Sequence, residues 1–184
     1  RFAAEKEAAS FSPVAICSKL IKLGYDDREI EEIKNCNEVF SSGNMPYVLM
    51  ATLARLLLEG HSWEGKGSAQ THDAPSITFK RPVLIELHHA DHTTAALFAD
   101  IRQTLGLPFV NTDYRAFARW PSYFNPAWVD LRSIILGEEY EHAVLRVHKV
   151  AVLLAGSLPN ISKITPQQLI GCATQDGQLS EVLS

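Results

Sequence analysis

The chain has 184 residues, 46% of them apolar and 21% charged, with three tryptophans and a formal charge of −4. That suits one compact domain or two small lobes, and mild acidity without a basic stripe leaves no footprint for a nucleic-acid backbone. The three cysteines, Cys17, Cys36 and Cys172, are dispersed and odd in number, which argues against a disulfide framework and for a reducing, cytoplasmic setting.

The chain opens on Arg1 rather than methionine and no leader can be recognised, so its start is expected to be trimmed or fragmentary. Ser12 and Pro13 read as N-cap and first helical residue of a short amphipathic helix over 14–23, closed by Gly24. Asp26 and Glu29 have capping-box spacing and open a second helix with Ile30, Ile33 and Phe40 on one stripe, expected to end near residues 41–43. A third helix over 45–59, apolar almost all round, is expected at the centre of a core and stops at Gly60. Its apolar run, 48–58, is broken by Arg55 and too short for the roughly 20 residues of a membrane span.

Residues 60–76 mix glycine, serine and charge without a period and read as a linker. The stretch 77–87 alternates partly, but Pro82 removes a ladder donor and no partner strand exists, so extended chain is expected there. Ala95, Phe98, Ile101, Arg102 and Leu105 recur at helical spacing up to Gly106. Further helices are expected near 112–119, 126–136, 138–155 and 166–183, the third carrying a stripe of Tyr140, Val144, Val147, Ala151 and Leu154. The fold class is all-α.

The chemistry concentrates in "FVNTDYRAFARWPSYFNPAW", residues 109–128, where aromatics surround a single acid, Asp113. An Asp at a helix start is usually a cap for orphan amide groups. Placed amid Phe109, Tyr114, Phe117 and Trp120 it is also open to desolvation, which raises a carboxylate's basicity while the helix terminus lowers it. Arg115 and Arg119 fit a solvated face. His88 and His92 have the spacing of paired metal ligands on a helix, but no third ligand is evident, and no metal is expected. The glycosylation triplet Asn160-Ile161-Ser162 has a frequency expected by chance. Nucleophile elbows, phosphate loops and phosphotransfer patterns are missing.

The segment "LGLPFVNTDYRAFARWPSYFNPAWVDLR" resembles the signature of the group I 2-haloacid dehalogenases, and "DREIEEI…FSSGNMPYVLMATLARLLLEG" resembles a second segment of that family. The resemblance spans residues 11–159. It implies a cofactor-free, all-helical hydrolase that acts on both enantiomers of 2-haloalkanoic acids. The implied fold is a pseudo-dimer of two helical repeats: here 1–60, a linker at 61–82, and 83–184. The family's water-activating aspartate falls on Asp113, its polar neighbour on Thr112, and the asparagine of the other repeat on Asn44. Water then attacks the halogen-bearing carbon directly, without an ester.

On that resemblance, Asp113 is expected to serve as base, Asn44 to orient the water, and Thr112, Tyr114 and Phe117 to shape the substrate site, a division of labour that suits an in-line displacement. Asn44 at a helix start would also offer amides to the substrate carboxylate. Two departures from the family stand out: Met45-Pro46 replaces its Pro-Lys pair, and the counterpart of "NTDYR" in the first repeat and the closing C-terminal helices are expected to be missing. A rival reading is a catalytically degenerate helical binding or assembly module, in which a homodimer would cover exposed apolar surface.

Overall fold

The computed structural model describes residues 1–12, 16–65, 67 and 82–175. Among the described residues the chain forms only helices and connections: α1 (Phe2–Ser10), α2 (Cys17–Lys22), α3 (Asp27–Leu58), a single 3-10 turn (Leu87–His89), α4 (His92–Leu105), α5 (Thr112–Phe117), α6 (Pro121–Ile135), α7 (Glu138–Ser157) and α8 (Pro166–Gln175). The all-α expectation holds. The protein divides into two compact units, Arg1–Ser42 with Ile77–Val144, and Gly43–Ser76 with Leu145–Ser184. These packing units cut the chain at other places than the two repeats that the resemblance implies.

Local signals place several termini as the sequence suggests. The Glu29 N–H donates to the Asp26 carboxylate at 2.8 Å and the Asp26 N–H to Glu29 at 3.4 Å, the reciprocal capping box. Gly106, at φ 65°, ends α4 in the left-handed conformation that glycine tolerates, and the Leu107 N–H then reaches the Arg102 carbonyl. Asp91 caps the other end of α4 by accepting from the Thr94 N–H at 2.7 Å.

Other boundaries differ. The helices expected at 26–43 and 45–59 are one 32-residue helix, about 48 Å long, with Pro46 inside it. Ser, Gly and Asn at 41–44 are weak breakers, and the stripes on either side of them are each held by a core, Ile30, Ile33 and Cys36 in the first unit, Leu53 and Leu57 in the second. That packing offsets a mid-helix proline, which costs about 3 kcal/mol. The second half of α3 is not buried all round, since Tyr47 and Met50 are exposed. α6 starts at Pro121 rather than 126, because Pro121 occupies the first turn, where a missing donor costs nothing, and Pro126 is again carried inside the helix. Ser12 has φ 46°, not the extended backbone of an N-cap, and α2 begins at Cys17; residues 13–15 lie outside the described set. α1, which no periodicity announced, is held to α3 by Arg1, whose guanidinium bonds Glu38 at 2.5 and 2.9 Å.

In the first unit two clusters share their borders. One gathers Leu20, Ile30, Ile33, Cys36, Ala116 and Trp120; the other Phe98, Ile101, Val110, Ala118, Phe124 and Trp128. Phe117 and Tyr123 pack against both, and so do neighbours in the extended segment, Leu84 on the first and Ile85 on the second. The Trp128 indole N–H donates to Asp100 at 2.7 Å, tying α6 to α4. In the second unit Leu53 and Leu57 of α3 meet Ala155 of α7, with Trp63, Leu158 and Leu169 around them. The Trp63 N–H donates to the Leu158 carbonyl at 2.8 Å, and the Asn160 side chain donates to the carbonyls of Trp63 and Ile164 and accepts from the Ile164 N–H. Part of the expected linker is therefore ordered, and Asn160 has a structural role in its own loop. On α7 the buried stripe is Ala143, Ala151 and Ala155, while Val144 and Leu154 are about half exposed. Of the alanines, Ala155 packs against Leu53 and Leu57 of α3.

Ile101 is fully buried. Ile101→Ala is expected to lower unfolding free energy by about 2–5 kcal/mol in urea titrations, whereas Val129→Ala, at a 64% exposed position, should stay within about 0.5 kcal/mol of the parent.

Candidate active site

Asp113 is the second residue of α5, after Asn111 in extended conformation as N-cap and Thr112 as first helical residue. The Asn111 side chain makes no capping bond. The Asp113 carboxylate takes up part of that work, accepting from the Tyr114 N–H at 3.0 Å. It is half-buried, and burial pushes its carboxyl above the usual carboxylate range against the opposing pull of the backbone N–H bonds of Tyr114 and of Asp113 itself. Among the described residues Asp113 enters no ion pair: Arg115 pairs with Glu86 and Arg119 approaches Glu32 at 4.0 Å. A desolvated carboxylate without a counter-ion is a strong base for its class.

Its surroundings come from three elements of the first unit. Phe117 places its ring centroid 6.3 Å from Phe40 of α3 and 5.9 and 6.1 Å from Tyr123 and Phe124 of α6. Tyr114 packs 6.2 Å from Phe124 and edge-on to Trp128 at 5.8 Å. Its hydroxyl is pushed up to about 12 by burial, then by the charges of Asp113 and Tyr140. The Cys36 thiol of α3 is likewise raised, by burial first, with Arg119 pulling it down and Asp113 pushing it up. Arg119 lies 4.7 Å above the Trp120 ring.

The structure thus brings together Asp113, Tyr114 and Phe117 on one turn of helix, with Thr112 beside them and exposed. Phe109 is 60% exposed and is no wall around the acid, because Val110 is the residue of that pair that enters the core. Asn44 sits inside α3, in the second unit, with its side chain exposed. It opens no helix, so the expectation that a helix terminus there binds the substrate carboxylate is overturned by the continuity of α3. The solvated-face reading fails for Arg115: its side chain is only 22% exposed, it pairs with Glu86, and its Nε is buried without a hydrogen-bond partner. Glu86 itself carried no signal in the sequence, being a lone acid after an apolar run.

His88 and His89 lie in the 3-10 turn with rings 4.1 Å apart, and His92 begins α4, so His88 and His92 do not share a helix face. Among the described residues no group of three His, Cys, Asp or Glu side chains is arranged to hold a metal ion, and no helix is long and apolar enough to cross a membrane. Two open cavities, of about 350 Å³ beside Arg55 and His148 and about 390 Å³ beside Tyr140 and Val144, each lie within one unit and are not lined by Asp113.

No family model matches the sequence. The chain is 44% identical over 160 residues to an (R)-2-haloacid dehalogenase of Rhizobium sp. (strain NHG3), covering 86% of this chain and 62% of that protein. It is 34% identical over 170 residues to an (R)-2-haloacid dehalogenase of Pseudomonas putida, covering 90% and 56%. Among solved structures it is similar to a D-2-haloacid dehalogenase mutant in complex with D-2-CPA, with a TM-score of 0.81, 29% identity, and coverage of 98% of this chain and 64% of that one. The D-2-haloacid dehalogenase with L-LA gives a TM-score of 0.80 at 30% identity, covering 98% and 65%. By sequence and by fold the chain belongs to the helical 2-haloacid dehalogenases, and it spans about three fifths of the length of the relatives it matches.

Because the Asp113 carboxyl is raised in the folded protein, the fold favours its protonated form: that contribution is full below the unfolded value and is lost as pH rises through the folded one. Asp113→Asn is therefore expected to gain stability relative to the parent as pH rises from about 4 towards 7, read as urea midpoints across a pH series. A difference that shrinks with pH would contradict the burial argument.

Proposed function

We propose that the protein is a hydrolytic 2-haloacid dehalogenase with Asp113 as general base. The observation that carries this reading is the half-buried carboxylate, without an ion-pair partner among the described residues, on a short helix packed among aromatic rings. Asp113 removes a proton from water as the water oxygen attacks C2 of the haloacid opposite the halide. The new C–O bond forms as the carbon–halogen bond breaks, and the halide leaves with the electron pair. The product is the 2-hydroxy acid of inverted configuration, and the proton passes from Asp113 to solvent. Such a base contributes typically 10²–10⁴ in rate.

Asn44 orients the water through its carboxamide in this scheme, Thr112 sets the position of the substrate, and Tyr114 and Phe117 supply an apolar wall. Asn44 follows Phe40 by four residues on α3, the spacing at which helical side chains share a face. The names of the relatives, (R)-2-haloacid dehalogenase in two and a configuration-inverting 2-haloacid dehalogenase of Pseudomonas sp. (strain 113) in a third, 26% identical over 141 residues, support an (R)-2-haloacid as substrate and an (S)-2-hydroxy acid as product. The two helical repeats, 1–60 and 83–184 around a linker at 61–82, the cytoplasmic location and the independence from cofactors and nucleic acid belong to the same reading. Exposed Tyr47, Met50 and Leu153 favour a homodimer. They also favour the second reading, a helical assembly module on the same scaffold without turnover.

The test is halide release from (R)- and (S)-2-chloropropionate assayed separately. The (R) acid is expected to give chloride and (S)-lactate, with kcat/KM rising with pH as Asp113 ionises above the ordinary carboxylate range. Asp113→Asn should lower turnover by about 10²-fold or more. Inversion alone does not distinguish direct attack from an Asp113 ester, so a single turnover in ¹⁸O-water is the deciding experiment. Label in the lactate hydroxyl on the first turnover supports direct attack, and unlabelled lactate assigns Asp113 as nucleophile instead. Absence of halide release from a folded sample leaves the assembly reading in its place.

A further inference from the structure

We propose that Glu86 is a positioning residue for Asp113, acting through Arg115; the catalytic meaning of this rests on the dehalogenase reading, whereas the mechanical coupling does not. α5 has six residues, too few to be stable alone, and its N-cap side chain makes no bond to it. Something outside the helix has to fix its orientation. Ala116 and Phe117 seat it against the core, and two polar attachments, both made by Arg115 and both to the same extended segment, fix it further. The Arg115 carbonyl accepts from the Ile85 N–H at 3.0 Å, and its guanidinium Nη2 pairs with the Glu86 carboxylate.

That segment is itself anchored. Leu84 packs on one cluster of the first unit and Ile85 on the other, and Glu86 follows in extended conformation, φ −75° and ψ 149°. Glu86 is thus presented by a stretch of chain that both cores hold in place. Arg115 lies two residues beyond Asp113 on a single turn of helix, so a tilt that frees Arg115 also moves the acid. The Arg115 Nε is buried with no hydrogen-bond partner, which leaves the guanidinium gripped at its Nη2 end. Without the Glu86 charge, a half-desolvated cation is left to seek water, and the short helix follows it. Displacements of the order of 1 Å at a reacting group are enough to cost about 10²-fold in rate.

The variant Glu86→Gln keeps the shape of the side chain and leaves the Ile85 to Arg115 backbone bond intact, so the fold is retained; Glu86→Ala removes the contact altogether. Two readouts separate positioning from simple support. The first is the titration of the Asp113 side-chain carboxyl by carbon NMR, without substrate. Its midpoint is expected to fall by at least about half a pH unit in Glu86→Gln, towards the ordinary carboxylate range, as the loosened carboxyl gains water. The other titratable and charged groups near it, Cys36 of α3, Tyr114 of α5 and Arg119 after α5, are left unchanged by the substitution. The second readout is kinetic: kcat for (R)-2-chloropropionate is expected to drop about tenfold or more with KM within about twofold, the pattern of a lost transition-state interaction. Arg115→Gln should do the same, and the double variant no more than either alone.

An unchanged Asp113 midpoint in folded Glu86→Gln overturns the proposal, as does full additivity of the two single variants. If Glu86→Ala does not fold, Glu86→Gln decides alone. If no halide is released by the parent while the Asp113 midpoint still follows Glu86, the coupling stands and the dehalogenase reading falls.

Discussion

The site depends on a carboxylate kept in a place that disfavours its charge. Asp113 accepts backbone N–H bonds from Tyr114 and from its own amide and, among the described residues, pairs with no cation, while Tyr114 links Trp128 to Phe124, Phe117 and Tyr123 in a continuous chain of rings on and beside its helix. Desolvation of this kind is what makes an acid useful as a base near neutral pH. Phe117 is central to the arrangement because it borders both clusters of the first unit. The same ring contributes to the core and places the turn of helix that carries the acid.

Much of this was legible because the signals are local. The capping box at Asp26 and Glu29, the terminating Gly106 and the aromatic segment around Asp113 are read within a few residues of chain, and the structure realises each of them. What was illegible depends on contacts distant in sequence. Nothing near Glu86 announces Arg115, which lies 29 positions later and meets it only once the helix and the extended segment are packed. The continuity of α3 is a similar case: serine, glycine and proline at 41–46 speak locally for a break, and two cores far apart in the helix outweigh them.

The role of Asn44 is of a third kind. It came from family resemblance rather than from any property of its own surroundings, and in the structure it is an exposed side chain within a helix. The role proposed for Asp113 came from the same resemblance, and its burial and its amide bonds add a physical argument for it. The acid thus has a physical argument beside the genealogical one, and the amide has the genealogical one alone. α7 shows a comparable division on the scale of a helix: periodicity located the buried stripe within one residue, and the alanines at 143, 151 and 155 are the ones that are buried.

Asn160 holds its loop by using both ends of the carboxamide, the nitrogen towards the carbonyls of Trp63 and Ile164 and the oxygen towards the Ile164 N–H. Chemical ageing of an asparagine replaces that nitrogen with an oxygen. Deamidation here would set oxygen against two carbonyl oxygens, and the strap between Trp63 and this loop would be pushed apart at its knot. One amide nitrogen thus decides whether Trp63 stays tied to this loop.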